Sequence, residues 1–321
     1  MLHAGTASVA LAERVEHVGA AVIRIGILVV VLITAGETGG QVRGVYPAGM
    51  SATNSGVTPQ PGFTYSNLLA IYSRNEFRGT HGEILATGGQ SVIMDLNSFV
   101  WVSTKEMLGG ARFSMSATLP VANNSLSSDV QGPISGGEGF ADSYYQPFIL
   151  GWTRERVAFR AVYGFLAPTG KFKVNASDNV GSGYWTHALS SGQTIYLTHN
   201  KRTAFSAFQM YEFHTEQKGT QIQPGQTLDL DYSLTHVIPL PKDLGLQIGL
   251  AGYNQWQTTD KTGPTITPEQ SAAHYRVNAL GFAANVNLPA RVNVGVKYFK
   301  EFANRSTFQG YSFQLSGAIS F

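Results

Sequence analysis

The stretch GYSFQLSGAISF, residues 310–321, alternates strictly between two kinds of side chain. An apolar residue or glycine takes every second position from Tyr311 to Phe321, and a small or polar residue takes each position between. This period of two predicts a β-strand with one apolar face. The aromatic residue at its end is unlike the polar tail that usually follows a soluble domain. Such a strand suits either a half-buried sheet in water or the wall of a membrane barrel.

The composition favours the membrane barrel. Charged residues make up 13% of the 321 residues, compared with about 25% in soluble domains, and the mean hydropathy is −0.04. Alternation between lipid-facing and lumen-facing residues gives such an intermediate average. The net charge of +2 is too small to indicate a nucleic-acid partner. The absence of cysteine excludes disulfides, thiolate catalysis and cysteine-bound zinc.

The connections between strand-like stretches alternate in length. Residues 111–119, 157–165, 228–234, 244–250 and 292–298 alternate as clearly as the last strand. Short connections lie near 105–110, 153–156, 200–202, 239–243 and 288–290, and longer ones near 75–89, 122–142, 167–183, 217–226, 258–273 and 303–308. Short periplasmic turns and longer outer loops are typical of bacterial outer-membrane proteins. We therefore predict an all-β fold, a transmembrane antiparallel up-and-down β-barrel of about 12 strands in contact with outer-membrane lipid. A soluble periplasmic β-protein is the alternative fold.

The first 62 residues differ from the rest. An apolar core, IGILVVVLI at residues 25–33, follows Arg24 and precedes small residues, a pattern typical of a secretory signal peptide. We predict a signal peptide over residues 1–36, with a membrane anchor as the alternative. Residues 37–62 are rich in Gly, Pro, Ser and Thr and predict irregular structure. The barrel is then expected over residues 63–321, with a bulge near Gly281, where the apolar positions change register.

The polar face of the strands predicts which residues line the lumen. Charged side chains facing lipid cost about 2–4 kcal/mol at the membrane midplane for Arg or Lys, so we place them inside. They form either a structural ion network or a path whose charges set selectivity. The predicted lumen residues are Arg112, Arg160, Glu212, Asp229, Asp231, Tyr253, Arg276, Arg291, Lys297 and Glu301.

Motifs that suggest chemistry are weak in this sequence. GFLAPTGK at residues 164–171 misses the spacing of a phosphate-binding loop, and Phe172 stands where Ser or Thr should bind magnesium. Glu212, His214 and Glu216 share a strand face, but metal sites need three or four convergent ligands. No local pattern selects a nucleophile for an outer-membrane hydrolase. We expect no catalytic residues, metal or cofactor, and the hydrolase remains an alternative.

Several segments resemble the phenol-degradation meta-pathway family of outer-membrane proteins. They are GVYPAG (44–49), PQPGFTY (59–65), GFADSYYQP (139–147), APTGKF (167–172), LDLDY (228–232) and KEFANR (300–305). The chain departs from the family at residues 139–142, which read Gly-Phe-Ala-Asp where the family often has Gly-Leu-Gly-Asp. The resemblance implies an outer-membrane barrel that transports hydrophobic or aromatic compounds. It supplies no catalytic set.

These observations lead to a functional expectation. We predict passive uptake of small hydrophobic or aromatic solutes across the bacterial outer membrane, with a structural barrel without transport as a further alternative. Residues 45–61 are expected to fold into the lumen and close it through Tyr46, Pro47 and Met50, and Tyr46, Met50 and Phe63 offer apolar contacts to an aromatic solute. By resemblance to other outer-membrane proteins, the terminal aromatic residue Phe321 is the signal for the barrel assembly machinery.

Overall fold

The structure is a computed structural model that describes residues 43–242 and 244–321. The signal peptide predicted for residues 1–36 lies outside the described residues. Within them, no helix is long and apolar enough to cross a membrane.

Thirteen strands and one short helix make up the described chain. The strands are β1 (Gly62–Arg78), β2 (Ile84–Met107), β3 (Ala111–Ser128), β4 (Gly132–Phe140), β5 (Ser143–Thr153), β6 (Val157–Ala167), β7 (Thr186–Tyr196), β8 (Thr203–His214), β9 (Thr227–Leu240), β10 (Leu244–Gln257), β11 (Arg276–Leu288), β12 (Val292–Glu301) and β13 (Thr307–Ser320). The helix α1 (Pro268–Ala272) lies between β10 and β11 and begins with a capping box formed by Thr267 and Gln270.

The sheet closes on itself. Except for β4 and β5, each strand pairs antiparallel with the next in the chain, and β1 pairs with β13 and β3 with β5. The strand β4 pairs only with β3, at the end of β3 beyond its contact with β5. Twelve strands therefore form a closed wall and β4 extends it, which confirms the predicted up-and-down barrel.

Connection lengths follow the predicted order with two differences. The short turns on one side include residues 108–110 and 154–156, whereas 168–185 and 258–275 form long loops on the other. Residues 122–142, predicted as a loop, are instead the β3–β4 hairpin. The long connection predicted at 75–89 is mostly strand, because β1 and β2 extend to Arg78 and Ile84. Ladder hydrogen bonds thus stiffen parts of the barrel that polar composition alone assigned to loops.

The two faces of the wall have opposite character. Large apolar side chains are exposed on the outside along most strands, as they are on β13 at Tyr311, Phe313 and Leu315. The residues between them, such as Ser312 and Gln314, are buried inside the barrel. A closed sheet with an apolar outer face is a structure that can span a bilayer, because it leaves no unpaired edge in lipid. The chain is therefore an outer-membrane β-barrel.

The bulge predicted near Gly281 does not form. The registers of β11 with β10 and with β12 run without a shift through Gly281. Val277 and Ala279 face inward and are fully buried, whereas Leu280 and Phe282 face outward and are exposed. Apolar residues thus occupy both faces of β11, and the change of register in the sequence was wrongly interpreted as a bulge.

Candidate functional site

Residues 43–58, here called the plug segment, lie inside the barrel and contact the inner wall on many strands. Polar side chains of β6, β7, β8, β9, β10, β12 and β13 hydrogen-bond to it. Tyr46, Ala48, Gly49, Ala52 and Ser55 are buried. The segment and the wall facing it form the candidate functional site.

One row of directly opposed positions passes around the inner wall past the plug segment. Directly opposed residues of neighbouring strands point to the same face. The row runs Arg112, Gly151, Arg160, Gly192, Phe208, Asp231, Tyr253, Ala279 and Glu301. It contains five of the ten residues predicted for the lumen, because strand alternation sorts inward from outward positions once the register is known.

Asp231 on β9 binds the middle of the plug segment. Its Oδ2 accepts hydrogen bonds from the Tyr46 hydroxyl at 2.6 Å and from the Ser51 amide at 3.0 Å. Its Oδ1 accepts from the Gly49 amide at 2.9 Å. A carboxylate has about four acceptor sites and can satisfy several donors at once. Asp231 is fully buried, so these bonds replace its lost hydration.

Glu301 on β12 binds the start of the plug segment. Its two oxygens accept hydrogen bonds of 2.7 and 3.0 Å from the Arg43 guanidinium, which is a bidentate ion pair. Arg74 on β1 lies 3.4 Å from the same carboxylate, and Tyr253 donates to it at 3.1 Å. Glu301 therefore connects the plug segment to a charged network that also joins β1, β10 and β12.

Glu212 on β8 and Lys297 on β12 bind the backbone of the plug segment from two sides. Glu212 accepts from the amides of Val45 and Tyr46 at 3.1 and 2.8 Å. The Lys297 ammonium donates to the carbonyl oxygens of Gly49 at 3.0 Å and of Met50 at 2.6 Å. Peptide donors and acceptors inside the barrel are thus paired with charges on the wall.

Apolar contacts lie between these polar anchors. The rings of Tyr46 and Phe208 pack with centroids 5.4 Å apart, and Ala188, Met210 and Met50 complete that cluster. A second cluster joins the plug alanines to inward residues of β10, β11 and β12 and to Tyr275, which precedes β11. Its members are Ala48, Ala52, Ala251, Tyr253, Tyr275, Val277, Ala279, Ala283 and Phe299. The inward apolar residues of β11 are therefore buried against the plug segment.

Glycine allows the backbone of the plug segment to approach the wall. A Cβ atom at Gly192 on β7 would overlap the Ser55 carbonyl group. Within the plug segment, Gly49 has a φ of +85°, a conformation that side chains disfavour. Both positions require glycine for steric reasons that the sequence alone does not reveal.

Not every residue predicted for the lumen lies there. Arg276 is exposed on the outer face of β11, opposite Trp256, because it alternates with the inward Val277. Arg291 is in the turn between β11 and β12, with a φ of 59°. Inward placement was therefore the wrong prediction for both. Both arginines lie at a strand end, where water is near and an outward charge costs little.

The remaining predicted residues have these positions. Arg160 donates to the Ser55 carbonyl oxygen at 2.8 Å. Arg112 is half-exposed and pairs with Glu106 near the β2–β3 turn at 3.3 Å. Pro47 is half-buried, and its carbonyl oxygen accepts from the Met50 amide at 3.1 Å. Phe321 is 68% exposed and follows β13, and its amide donates to the Phe63 carbonyl oxygen at 2.8 Å. The Phe63 side chain is exposed on the outer face, opposite Trp101, so its expected contact with a solute in the lumen was wrong.

An acidic row runs through Glu212, Asp229 and Asp231. Asp229 accepts from Gln255 at 2.6 Å through Oδ1, whereas its buried Oδ2 has no hydrogen bond among the described residues. His214 lies 3.5 Å from Glu212 and 2.8 Å from the Thr186 hydroxyl. The acid Glu212, the base His214 and the hydroxyl of Thr186 are all buried. No group of three acidic or histidine residues in the described part of the chain has the geometry of a metal site.

Sequence reasoning did not identify several residues that hold the plug segment. They include Arg43, Arg74, Phe208, Phe299 and Gln314, which donates to the Ala48 carbonyl oxygen at 2.9 Å. Arg74 and Gln314 occupy the inward positions of β1 and β13. Alternation already assigns Gln314 to the polar face of the last strand, and it would have assigned Arg74 to the inner face of the first strand had that strand been extended. Alternation could not have identified the two phenylalanines, because inward and outward aromatic residues cannot be distinguished in the sequence until the strand register is known.

The family comparison agrees with this architecture. Residues 74–316, which are more than half of the chain, match the family described as "Putative MetA-pathway of phenol degradation". The chain belongs to this family. No curated protein matches the chain.

The solved structures that share the fold include the following two. An outer-membrane channel from Pseudomonas putida F1 superposes with a TM-score of 0.68 at 14% identity, covering 84% of this chain and 98% of that one. The beta domain of the Bordetella autotransporter Brka superposes with a TM-score of 0.52 at 12% identity, covering 82% and 100%. At these identities the likeness concerns the barrel fold.

Proposed function

We propose that this protein is a passive outer-membrane channel for small hydrophobic or aromatic compounds and that the plug segment gates it. The observation that supports the proposal is that three inward side chains of the wall, Glu212, Asp231 and Glu301, bond to the plug segment. A barrel that only stiffened the membrane would not need a separately anchored segment inside. The proposal requires that the plug segment shifts when a solute passes.

The contacts suit a gate that can open. They are hydrogen bonds, ion pairs and apolar contacts, each of which can break and re-form without a covalent step. Several contact backbone atoms of the plug segment, so the segment could leave the wall without unfolding the ladders of the sheet. The free energy of opening is then set by the anchors and is separate from the stability of the barrel.

The chemistry of the solute follows from the surfaces that opening would uncover. Tyr46 and Met50 pack against Phe208, Met210 and Ala188. Removing the plug segment exposes this aromatic and thioether surface, which suits a flat apolar solute. The family description, which refers to phenol degradation, supports the same class of solute. The description of the Pseudomonas putida protein as an outer-membrane channel supports transport. We infer diffusion down a gradient, with no covalent chemistry.

Solute flux into lipid vesicles tests the proposal. Purified full-length barrel in vesicles should admit phenol-sized aromatic compounds faster than empty vesicles, and deletion of residues 44–60 should raise the flux further. A matched control deletes residues of the long loop at 258–266, outside the plug segment. Equal flux in protein-loaded and empty vesicles would contradict transport. Unchanged flux after deletion of residues 44–60 would contradict the gate.

The same preparation separates the alternatives. An outer-membrane hydrolase would cleave ester or lipid substrates in detergent, whereas we expect no turnover. A purely structural barrel would give the flux of empty vesicles both with and without the plug segment. A shift in gel mobility between heated and unheated samples shows that each variant is a folded barrel.

A further inference from the structure

Three polar side chains lie on the lipid-facing side of β1 and β2. Asn67, Asp95 and Asn97 are on the outer face, because they alternate with the buried inward Leu96 and share a face with the exposed Phe99. Asn67 lies directly opposite Asn97. Asp95 thus places a carboxyl group, beside these two amides, on the lipid-facing side of the wall.

The cluster lies well inside the apolar band. Asn67 is four positions beyond Phe63, and Asp95 is six positions from Trp101, both exposed aromatics near the end with short turns. With a rise of about 3.3 Å per residue and a strand tilt of about 40°, these separations place the cluster about 10–15 Å into the bilayer. The apolar band of such barrels is about 25 Å tall. Water does not reach this level, so polar atoms need protein partners.

The cluster satisfies only part of its own hydrogen-bonding capacity. The Asn67 amide donates to Asp95 Oδ1 and, at 3.3 Å, to Asn97 Oδ1, which also accepts from the Tyr65 hydroxyl at 2.6 Å. Among the described residues, the Asn97 amide nitrogen and Asp95 Oδ2 have no hydrogen-bond partner. One hydrogen-bond donor and one acceptor on this outer face are therefore left for a group outside the described residues.

We propose that this face joins two copies of the chain in the membrane. A two-fold axis along the membrane normal would bring the Asn97 amide of each copy to Asp95 Oδ2 of the other. In such a dimer, the remaining donor of each copy meets the remaining acceptor of the other. An isologous contact requires this self-complementary surface. Leu119 and Val121 on β3 lie directly opposite Asn97 and Asp95 and are both exposed. They supply an apolar surround that excludes lipid from the polar pairs.

A second polar group on the outer wall serves as a comparison. Ser191, Gln193 and Gln209 on β7 and β8 bond to one another, at 2.9 and 3.1 Å, and carry no ionisable group. If Asp95 of one copy contacted this second polar group on another copy, two different faces would meet and the copies would join head to tail. The contact between two β1–β3 faces is favoured because it pairs the carboxylate with an amide in both directions.

Single cysteines test the geometry, because the chain has none of its own. Leu119→Cys lies beside the cluster, Ala207→Cys lies opposite Gln193, and Leu250→Cys is on the apolar outer face of β10. In native membranes, oxidation or a short bis-maleimide should cross-link most Leu119→Cys protein into a covalent dimer. Ala207→Cys and Leu250→Cys should remain monomeric. Cross-linking only between Leu119→Cys and Ala207→Cys chains would contradict the two-fold contact.

Substitution of Asp95 and Asn97 tests whether their polar side chains cause the association of two copies. Asp95→Leu combined with Asn97→Leu should leave a folded, heat-modifiable barrel, because leucine suits the lipid-facing wall. Counting photobleaching steps of labelled full-length protein in bilayers should give two steps for the wild type. The double variant should give one, with at least a tenfold loss of association, and Gln209→Leu should behave as the wild type. One-step bleaching of the wild type, capture of a different membrane protein in its place, or dimers that persist in the double variant would overturn the proposal.

Discussion

The hydroxyl of Tyr46 lies 2.6 Å from Oδ2 of Asp231 and joins the plug segment to the barrel wall. The same carboxylate also accepts from the amides of Gly49 and Ser51. Burial and the neighbouring Asp231 raise the pKa of the Tyr46 hydroxyl well above its ordinary value. A tyrosine hydroxyl is protonated at neutral pH even at its ordinary pKa of about 10, so it is a donor here. One wall side chain thus fixes three positions of the plug segment.

Asp231→Asn should open the channel without unfolding the barrel. The amide keeps one acceptor but turns a donor towards the Tyr46 hydroxyl or a plug amide, and hydrogen bonds to charged groups contribute about 1.5–3 kcal/mol each. Loss of about one such bond should raise solute flux into vesicles roughly tenfold. The matched control is Asp178→Asn, a loop position outside the plug segment whose half-exposed side chain pairs with the half-exposed Lys171.

Tyr46→Phe completes this test. It removes the donor but keeps the ring that packs on Phe208, so flux should rise less than with Asp231→Asn. In the double variant, the change in the free energy of opening should be smaller than the sum of the two single changes. The difference is a coupling energy of about 0.5–3 kcal/mol. Fully additive effects would show that the two side chains act independently, contrary to the observed contact.

Glu301→Gln and Arg43→Gln should separate plug anchoring from barrel stability. Glu301 contacts Arg43, Arg74 and Tyr253, so its neutralisation leaves two arginines without their carboxylate. Breaking a buried ion pair costs about 3–5 kcal/mol. Glu301→Gln should therefore lower the free energy of unfolding in urea and also raise flux. Arg43→Gln leaves Glu301 paired with Arg74 and should raise flux with a smaller loss of stability. Equal destabilisation by both variants would show that the plug segment is part of the folding unit.

The barrel was predictable from sequence because alternation, connection lengths and low charge all arise from one cause, a wall between lipid and lumen. Asp231, Lys297 and Glu301 could be assigned to the inner face for the same reason. Arg276 and Arg291 could not be assigned to the correct side of the wall. At a strand end or turn, an outward charge costs little, so alternation no longer predicts which way a charged side chain faces.

The wall residues that contact the plug segment could not be predicted from the sequence. The segment has no period of its own, and its contacts depend on which wall positions meet at one level of a tilted barrel. The apolar inward face of β11 shows the difficulty. It suggested a bulge, but Val277 and Ala279 are apolar because they share a buried cluster with Ala48 and Ala52.

Gly192→Ala should displace the plug segment by steric contact alone. The added methyl group would overlap the Ser55 carbonyl group, so the segment or the strand must move. Flux should rise several-fold while thermal unfolding of the barrel changes little. Gly317→Ala is the matched control, because a Cβ atom there meets no atom within 4 Å. The same flux from both variants would indicate a general effect of alanine in a strand.

Deletion of Phe321 should impair assembly and leave transport by correctly assembled protein unchanged. The side chain is 68% exposed at the end of the apolar face of β13, so few internal contacts require it. Its backbone is held to the wall by the bond from its amide to the Phe63 carbonyl oxygen. Phe321→Tyr keeps a terminal aromatic and should assemble normally, whereas the deletion should lower the heat-modifiable fraction in outer membranes several-fold. Vesicles loaded with equal amounts of folded protein should then show equal flux. A deletion variant that assembles at wild-type levels but fails to conduct would assign Phe321 to the channel.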